Sequence, residues 1–259
     1  MERGSGILMH ISSFPAKYGI GTMGKEAFQF VDFLKKSGQK YWQILPIGPT
    51  SFGDSPYQSF STFAGNPYFI DFDLLREDGS LNLEDYSEID WGNKPDRVDY
   101  EKIFKSRFKV LKAAYSRDRI RKKAEIDNFR FNHSYWIENY SLFMALKFDN
   151  NLKMYRNWNE DIVKRTPEAI INAYNDLNTE IDFWVYVQFL FYKQWYALKE
   201  YANMQGIKII GDIPIYVAYD SADVWANPEL FQKKWQVARR MVTHPKVSFG
   251  EIRSIIGTT

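Results

Sequence analysis

Short apolar runs alternate with longer stretches of helical period along this chain, and the alternation predicts a parallel α/β arrangement. GILMHISS near the start predicts a strand over about 7–13. Residues 24–37 follow, with Phe28, Val31, Phe33 and Leu34 near a 3.6-residue period and Gly38 as a stop, so an amphipathic helix is expected there. KYWQILPI, rich in aromatic and branched residues, predicts a second buried strand over about 41–47. Strand, helix and strand in that order make a parallel βαβ unit. Residues 48–67 form a loop dense in Gly, Pro, Ser and aromatics. From about 80 to 180 the pattern turns helical. Acidic turns at Glu77, Asp78, Glu84 and Asp85 lead into a basic helix with Phe104, Phe108, Leu111 and Tyr115 on one stripe. Residues 134–147 predict another helix, with Trp136, Tyr140, Phe143, Met144 and Leu146 toward the core. Residues 181–205 predict a long aromatic helix ended by Gly206, and Ile207–Ile210 a third strand that runs into Gly211-Asp212-Ile213-Pro214.

Composition narrows the classes. The chain has 259 residues and is 45% hydrophobic, enough for one large core or two ordinary ones. Basic and acidic residues balance at 34 and 32, so no global charge favours nucleic acid. The basic run from Lys102 to Lys123 is expected to be a solvated helix face. With no cysteine, disulfides, thiolate nucleophiles and Cys-held metals are excluded. The three histidines, His10, His133 and His244, are not at metal-ligand spacing, so no metal is expected. The N-terminus lacks an apolar leader and no window reaches membrane-spanning length, which predicts no export, no membrane partner and a cytoplasmic location. Aromatic content, 17% with 8 Trp, 17 Tyr and 20 Phe, stands out. Aromatic side chains pack cores and also offer flat faces to ring-shaped ligands.

Three segments carry candidate chemistry. Gly53-Asp54-Ser55-Pro56-Tyr57-Gln58-Ser59-Phe60 follows the second strand, where the loops of parallel barrels build their sites. Its hydroxyl and amide groups suit a polyhydroxylated ligand and Tyr57 supplies a ring face; a tight turn set by Pro56 and capped by Asp54 explains the same residues. Asp212 stands at the C-terminal end of the third strand, where a carboxylate reads either as a site residue or as a turn aspartate bonding nearby backbone N–H groups; Gly211 and Pro214, which shape the backbone around it, favour the site reading. In Asp220-Ser221-Ala222-Asp223-Val224-Trp225, Asp220 or Ser221 caps a helix and Asp223 lies in its first turn, so capping is the expectation for both aspartates. Trp225 fits either a core or a sugar platform. Nucleotide-binding glycine motifs, GxSxG and HExxH are absent.

YWQILPIGPTSFGDSPYQSFSTFAGNP (41–67) and GIKIIGDIPIYVAYDSADVWANPELF (206–231) resemble the amylomaltases, the 4-α-glucanotransferases or disproportionating enzymes of glycoside hydrolase family 77. GILMHISSFP and YWIENYSLFMALK support the resemblance, which runs from about residue 5 to Gln232. It implies a (β/α)8 TIM barrel of which this chain holds the first three strands, with a mainly helical inserted subdomain. The implied division is 1–75 for strands one and two with the glucan-contact loop, 76–180 for the helical subdomain, and 181–232 for the long helix and strand three. It also implies the transfer of an α-1,4-glucan segment to a 4-hydroxyl by retaining double displacement, with no cofactor. The implied partners are maltose, maltooligosaccharides and starch or glycogen segments, and neither nucleic acid nor membrane. Tyr57 matches the family's sugar-stacking tyrosine, Asp212 matches the aspartate of the first region shared with α-amylases, and Ser55 is a further contact. The nucleophile, the acid/base and the third carboxylate match nothing in this chain, so no catalytic residue carries over.

From Lys233 the sequence departs from the family pattern. Read from the last base of the Lys234 codon with a free choice of synonymous codons, residues 235–259 yield the family's VAG and WGNPFYNW segments at their spacing. The expectation is a frame-shifted tail over 233–259 on an N-terminal part that is inactive alone and poorly stable. A glucan-binding module without catalysis and a hydrolase of the α-amylase clan are the alternatives.

Overall fold

Three short strands, β1 (Gly6–Leu8), β2 (Tyr41–Gln43) and β3 (Lys208–Ile210), pair in parallel in that order. The computed structural model describes residues 3–50, 54–92, 97–214 and 216–231, and the backbone of 241–243. Ile7, Trp42 and Ile209 are aligned across the sheet, and Trp42 and Ile209 are buried on one face. Successive strand residues point to opposite faces, so Leu8 and Ile210 lie on the other face, 55% and 42% exposed. The ladders are shorter than the predicted strands. Residues 11–13 already form a 3-10 turn, and Pro46 lacks the N–H that a longer second ladder needs.

Helix α1 (Lys25–Lys36) connects β1 to β2. Its buried stripe is Ala27, Val31 and Leu34, whereas Phe33 is outward and 52% exposed. Two residues from Val31 is a 200° turn, so Phe33 does not share its face. Between β2 and β3 lie α2 (Phe72–Glu77), α3 (Tyr100–Arg121), α4 (Lys123–Asn132), α5 (Ser134–Asp149), α6 (Glu160–Val163), α7 (Pro167–Asp176) and α8 (Asn178–Met204). Gly206, at φ +79°, ends α8 in the left-handed conformation expected of a C-terminal glycine. The five aromatic and aliphatic residues expected to face the core from α5 are all buried.

The α3 stripe differs from expectation. Ile103, Arg107, Val110, Leu111, Ala114 and Asp118 are buried, and Phe104 and Phe108 only half-buried. The basic run is therefore not wholly solvated. Lys105, Lys112 and Lys123 are exposed, but Arg107 is fully buried, with Nε donating to the Pro67 carbonyl at 3.1 Å and Nη2 to that of Ile70. Its guanidinium lies 4.4 Å from the Phe72 ring centroid. Lys122 is buried beside Asp78 and Asp118.

Helix α8 is apolar nearly all round, as a helix enclosed on most sides must be. It packs on α1, α3, α4, α5 and α7 and on β3, so sheet and helices share one core. Its two buried glutamines tie down the chain after β2. Gln188 accepts from the Gly65 N–H at 2.7 Å and donates to the Gly65 carbonyl at 3.0 Å. Gln194 does the same at Asp71, at 2.7 and 3.0 Å. Each amide stands in for a neighbouring strand, satisfying backbone groups that would otherwise be buried unpaired.

After β3 the chain forms β4 (Tyr216–Ala218), α9 (Ala222–Ala226) and β5 (Met241–Thr243), with β4 and β5 antiparallel. Apart from β5, the tail expected to be frame-shifted lies outside the described residues.

Candidate functional site

In a parallel sheet the three strands deliver their following segments to one side. There the loop after β2 meets the segment after β3. The Tyr57 hydroxyl donates to Asp212 Oδ2 at 2.7 Å, and Asp212 Oδ1 accepts from the Ile213 N–H at 2.8 Å. Tyr57 is 39% exposed, so its ring has a face open to solvent. The hydrogen bond to the Asp212 carboxylate raises the Tyr57 pKa above the ordinary phenol value, because ionisation would remove the donated proton.

The local turn that presents Tyr57 is built from its neighbours. Asp54 adopts φ +53°, a left-handed conformation that aspartate tolerates better than most residues. Burial pushes its carboxyl pKa up. The Ser55 hydroxyl oxygen accepts from the Tyr57 N–H at 3.3 Å and its carbonyl from the Gln58 N–H at 3.1 Å. Both readings of this loop are thus compatible: it is a tight turn, and the turn aims Tyr57 at Asp212. Ser55 contributes to that turn and its own O–H remains a donor.

The segment following β4 corrects one expectation. Ser221, fully buried, caps α9 by accepting from the Val224 N–H at 3.3 Å. Asp220 is not the cap. It pairs with the buried Lys147 and accepts from the Tyr155 N–H at 3.0 Å, linking this segment to the helical region. Asp223 lies in the first turn of α9 as expected, but its side chain reaches out of the helix to Thr62, accepting from the N–H at 2.7 Å and the hydroxyl at 2.8 Å. Trp225 is core: 1% exposed, with Nε1 donating to the Ile162 carbonyl at 3.0 Å.

Two cavities flank the Tyr57 loop. One of about 60 Å³ lies beneath it, between Ile44, Phe63, Tyr192, Trp195 and Asp212. The exposed face of Tyr57, whose partner Asp212 lines this space, is the surface open to a ring-shaped ligand. A mostly apolar cavity of about 280 Å³ lies between Thr50, Asp54, Tyr68, Tyr100, Phe104 and Trp184. Among the described residues no group of three or more His, Asp or Glu is placed to hold a metal ion, and no helix is long and apolar enough to cross a membrane.

Sequence reasoning missed the groups that hold the loop: Gln188, Gln194 and Tyr192, whose hydroxyl donates to the Phe63 carbonyl at 2.6 Å. The available signal was two glutamines inside the apolar run of α8, where a polar side chain needs a buried partner.

A profile of glycoside hydrolase family 77, described as 4-alpha-glucanotransferase, matches residues 9–243, ending past Gln232 where the motif resemblance stops. The 4-alpha-glucanotransferase of Clostridium butyricum is 51% identical over 223 residues, covering 86% of this chain and 46% of the relative. That of Thermus thermophilus is 44% identical over 237 residues, covering 89% and 46%. Among solved structures, the amylomaltase of Streptococcus agalactiae in complex with acarbose superposes with a TM-score of 0.86 at 46% identity, over 89% of this chain and 47% of that one. The Corynebacterium glutamicum amylomaltase, at 16% identity and a TM-score of 0.62 over 88% of this chain and 32% of that one, shares the fold. The chain spans about half the length of the curated relatives it matches. The three-stranded sheet is accordingly part of a TIM barrel.

Proposed function

The chain belongs to the 4-alpha-glucanotransferase family, and on that premise we propose that it provides the glucan-contacting surface of such an enzyme. The ligands are α-1,4-glucans: maltose, maltooligosaccharides and segments of starch or glycogen. Tyr57 stacks on a sugar ring, while Asp212 holds the tyrosine and offers a carboxylate to sugar hydroxyls, with Ser55 beside them. The observation that carries this reading is the bond between the Tyr57 hydroxyl and Asp212 at the C-terminal side of the parallel sheet. An aromatic face beside a fixed acceptor is what a hydroxyl-rimmed, apolar-faced ring requires.

The family reaction would pass a glucan from an enzyme carboxylate to another sugar's 4-hydroxyl. Retaining chemistry needs two carboxyl groups about 5–5.5 Å apart across the scissile bond. Asp212 accepts from Tyr57 and from the Ile213 N–H, which fixes it as an acceptor beside the ring, and no carboxylate of this chain matches a catalytic motif of the family. We infer that residues 1–259 alone bind glucan without transferring it, which favours the binding-module alternative for the isolated chain.

Incubation with maltotriose separates the readings. Longer and shorter maltosaccharides would mean transfer, glucose and maltose alone hydrolysis, and retained affinity without turnover a binder. Calorimetric titration with maltoheptaose is expected to show binding, and Tyr57→Ala to weaken it by about 1–2 kcal/mol, the loss of one stacking surface. A parent chain without measurable affinity would overturn the proposal.

A further inference from the structure

Tyr57 lies on a loop and is partly exposed, so one bond to Asp212 does not by itself immobilise its ring. The loop is tied down again further along. Asp223 Oδ2 accepts from both the N–H and the hydroxyl of Thr62, at 2.7 and 2.8 Å. Beside it the Ala222 N–H donates to the Phe60 carbonyl at 2.8 Å. Two donors on a carboxylate oxygen, in a half-buried setting, make a stronger tie than neutral hydrogen bonds.

The stretch between Tyr57 and Thr62 has little slack. Ser59 is buried and bridges to Thr50. Its hydroxyl donates to the Ser61 carbonyl at 2.6 Å and accepts from the Ser61 N–H at 3.2 Å. The anchor itself is rigid too. Ser221 caps α9 from a fully buried position, and Trp225 fixes the helix against the Ile162 carbonyl. The segment that leaves β3 thus grips the Tyr57 loop at its start, through Asp212, and near its end, through Asp223.

We propose that Asp223 is a positioning residue: through Thr62 it holds the 57–62 loop so that the Tyr57 hydroxyl stays on Asp212 and the ring stays ordered for stacking. The consequence for binding rests on the glucan-contact reading; the effect on Tyr57 does not. A ring ordered in advance spares the ligand the cost of immobilising a side chain.

The test is 19F NMR of the full chain grown with 3-fluorotyrosine, the Tyr57 resonance being assigned by its loss in Tyr57→Phe. Asp212→Ala marks where that resonance lies without the hydrogen bond. Asp223→Ala is expected to move it toward that position and to weaken maltoheptaose binding about three- to tenfold, as for one side chain left unordered. Thr62→Val, which removes only the hydroxyl donor, is expected to give a smaller shift in the same direction. Asp223→Asn keeps an acceptor oxygen and should restore both readouts. An Asp223→Ala chain that melts like the parent and leaves the Tyr57 resonance in place overturns the proposal. If Asp223→Ala does not fold, Thr62→Val decides: an unmoved resonance there overturns it equally. If the resonance moves as expected while the parent binds no maltooligosaccharide, the positioning role stands and the glucan reading falls.

Discussion

Gly65→Ala is expected to destabilise the chain by about 3 kcal/mol, at the upper end of overpacking effects. A Cβ on Gly65 would sit 2.0 Å from Phe191 Cδ1, 2.1 Å from Cε1 and 2.3 Å from Cγ, far inside van der Waals contact. Neither side has room to yield. Phe191 is 1% exposed on α8, enclosed by the core. The Gly65 backbone is held on both its N–H and its carbonyl by Gln188, so retreat from the ring breaks two buried hydrogen bonds and strands a buried amide. Each such bond contributes on the order of 1 kcal/mol net, and leaving its partners unsatisfied costs more. Urea denaturation followed by far-UV circular dichroism measures the loss. Gly206→Ala is the control: that glycine has φ +79° but nothing within 4 Å of an added Cβ, so only backbone strain of about 1 kcal/mol applies. A Gly65→Ala chain no less stable than Gly206→Ala would show that the close approach of loop and helix is not tight. The same variant should disturb Tyr57, because the loop that Gln188 and Tyr192 hold is the loop that presents it.

That dependence explains which features the sequence reveals. Element order is legible because hydropathic period changes are local: the strand-helix-strand start, the aromatic run of α8 and its stop at Gly206 each lie within one window. Two long motifs following neighbouring strands put Tyr57 and Asp212 on one side of the sheet, but the hydrogen bond between them is not legible in either motif. Burial of individual charges was not legible. Arg107 belongs to a basic run, and only helical arithmetic from Ile103 to Val110 puts it on the core stripe; its acceptors at Pro67 and Ile70 come from a distant loop. Gln188 and Gln194 each meet backbone far upstream, and a polar residue in an apolar helix does not announce its partner. Asp220 and Asp223 had a sufficient local explanation in helix capping, and the long-range partners Lys147 and Thr62 overrode it for the side chains. Capping fell to Ser221, whose short hydroxyl reaches the Val224 N–H without leaving the core.

Stability is expected to fall by up to about 3 kcal/mol as pH drops from 6.5 to 4, through His10. This residue follows β1 and is 8% exposed, its ring edge-on to Phe69 at 5.3 Å. Its Nδ1 has no hydrogen-bond partner among the described residues. A charged imidazolium there would lose its hydration without compensation, and burial lowers the pKa from 6.5 to about 4. Between these values the unfolded chain binds a proton that the folded chain refuses, so folding stability rises with pH across that window and is level above it. His133, half-buried, is shifted in the same direction by burial and adds to the slope. The carboxylates act lower down: against burial, Asp78, Asp85 and Asp118 are held below the ordinary range by hydrogen bonds to Lys122, Arg117, Ser80 and Arg121, so their contribution is lost only below about pH 4. Urea denaturation of the parent and of His10→Gln at intervals from pH 4.5 to 8 separates the groups. The variant is expected to start less stable at pH 8, having lost the packing on Phe69, and to lose much less on acidification to pH 4.5. Parallel curves for the two proteins would mean that His10 accepts its proton in the folded state and that the buried ring carries no acid sensitivity.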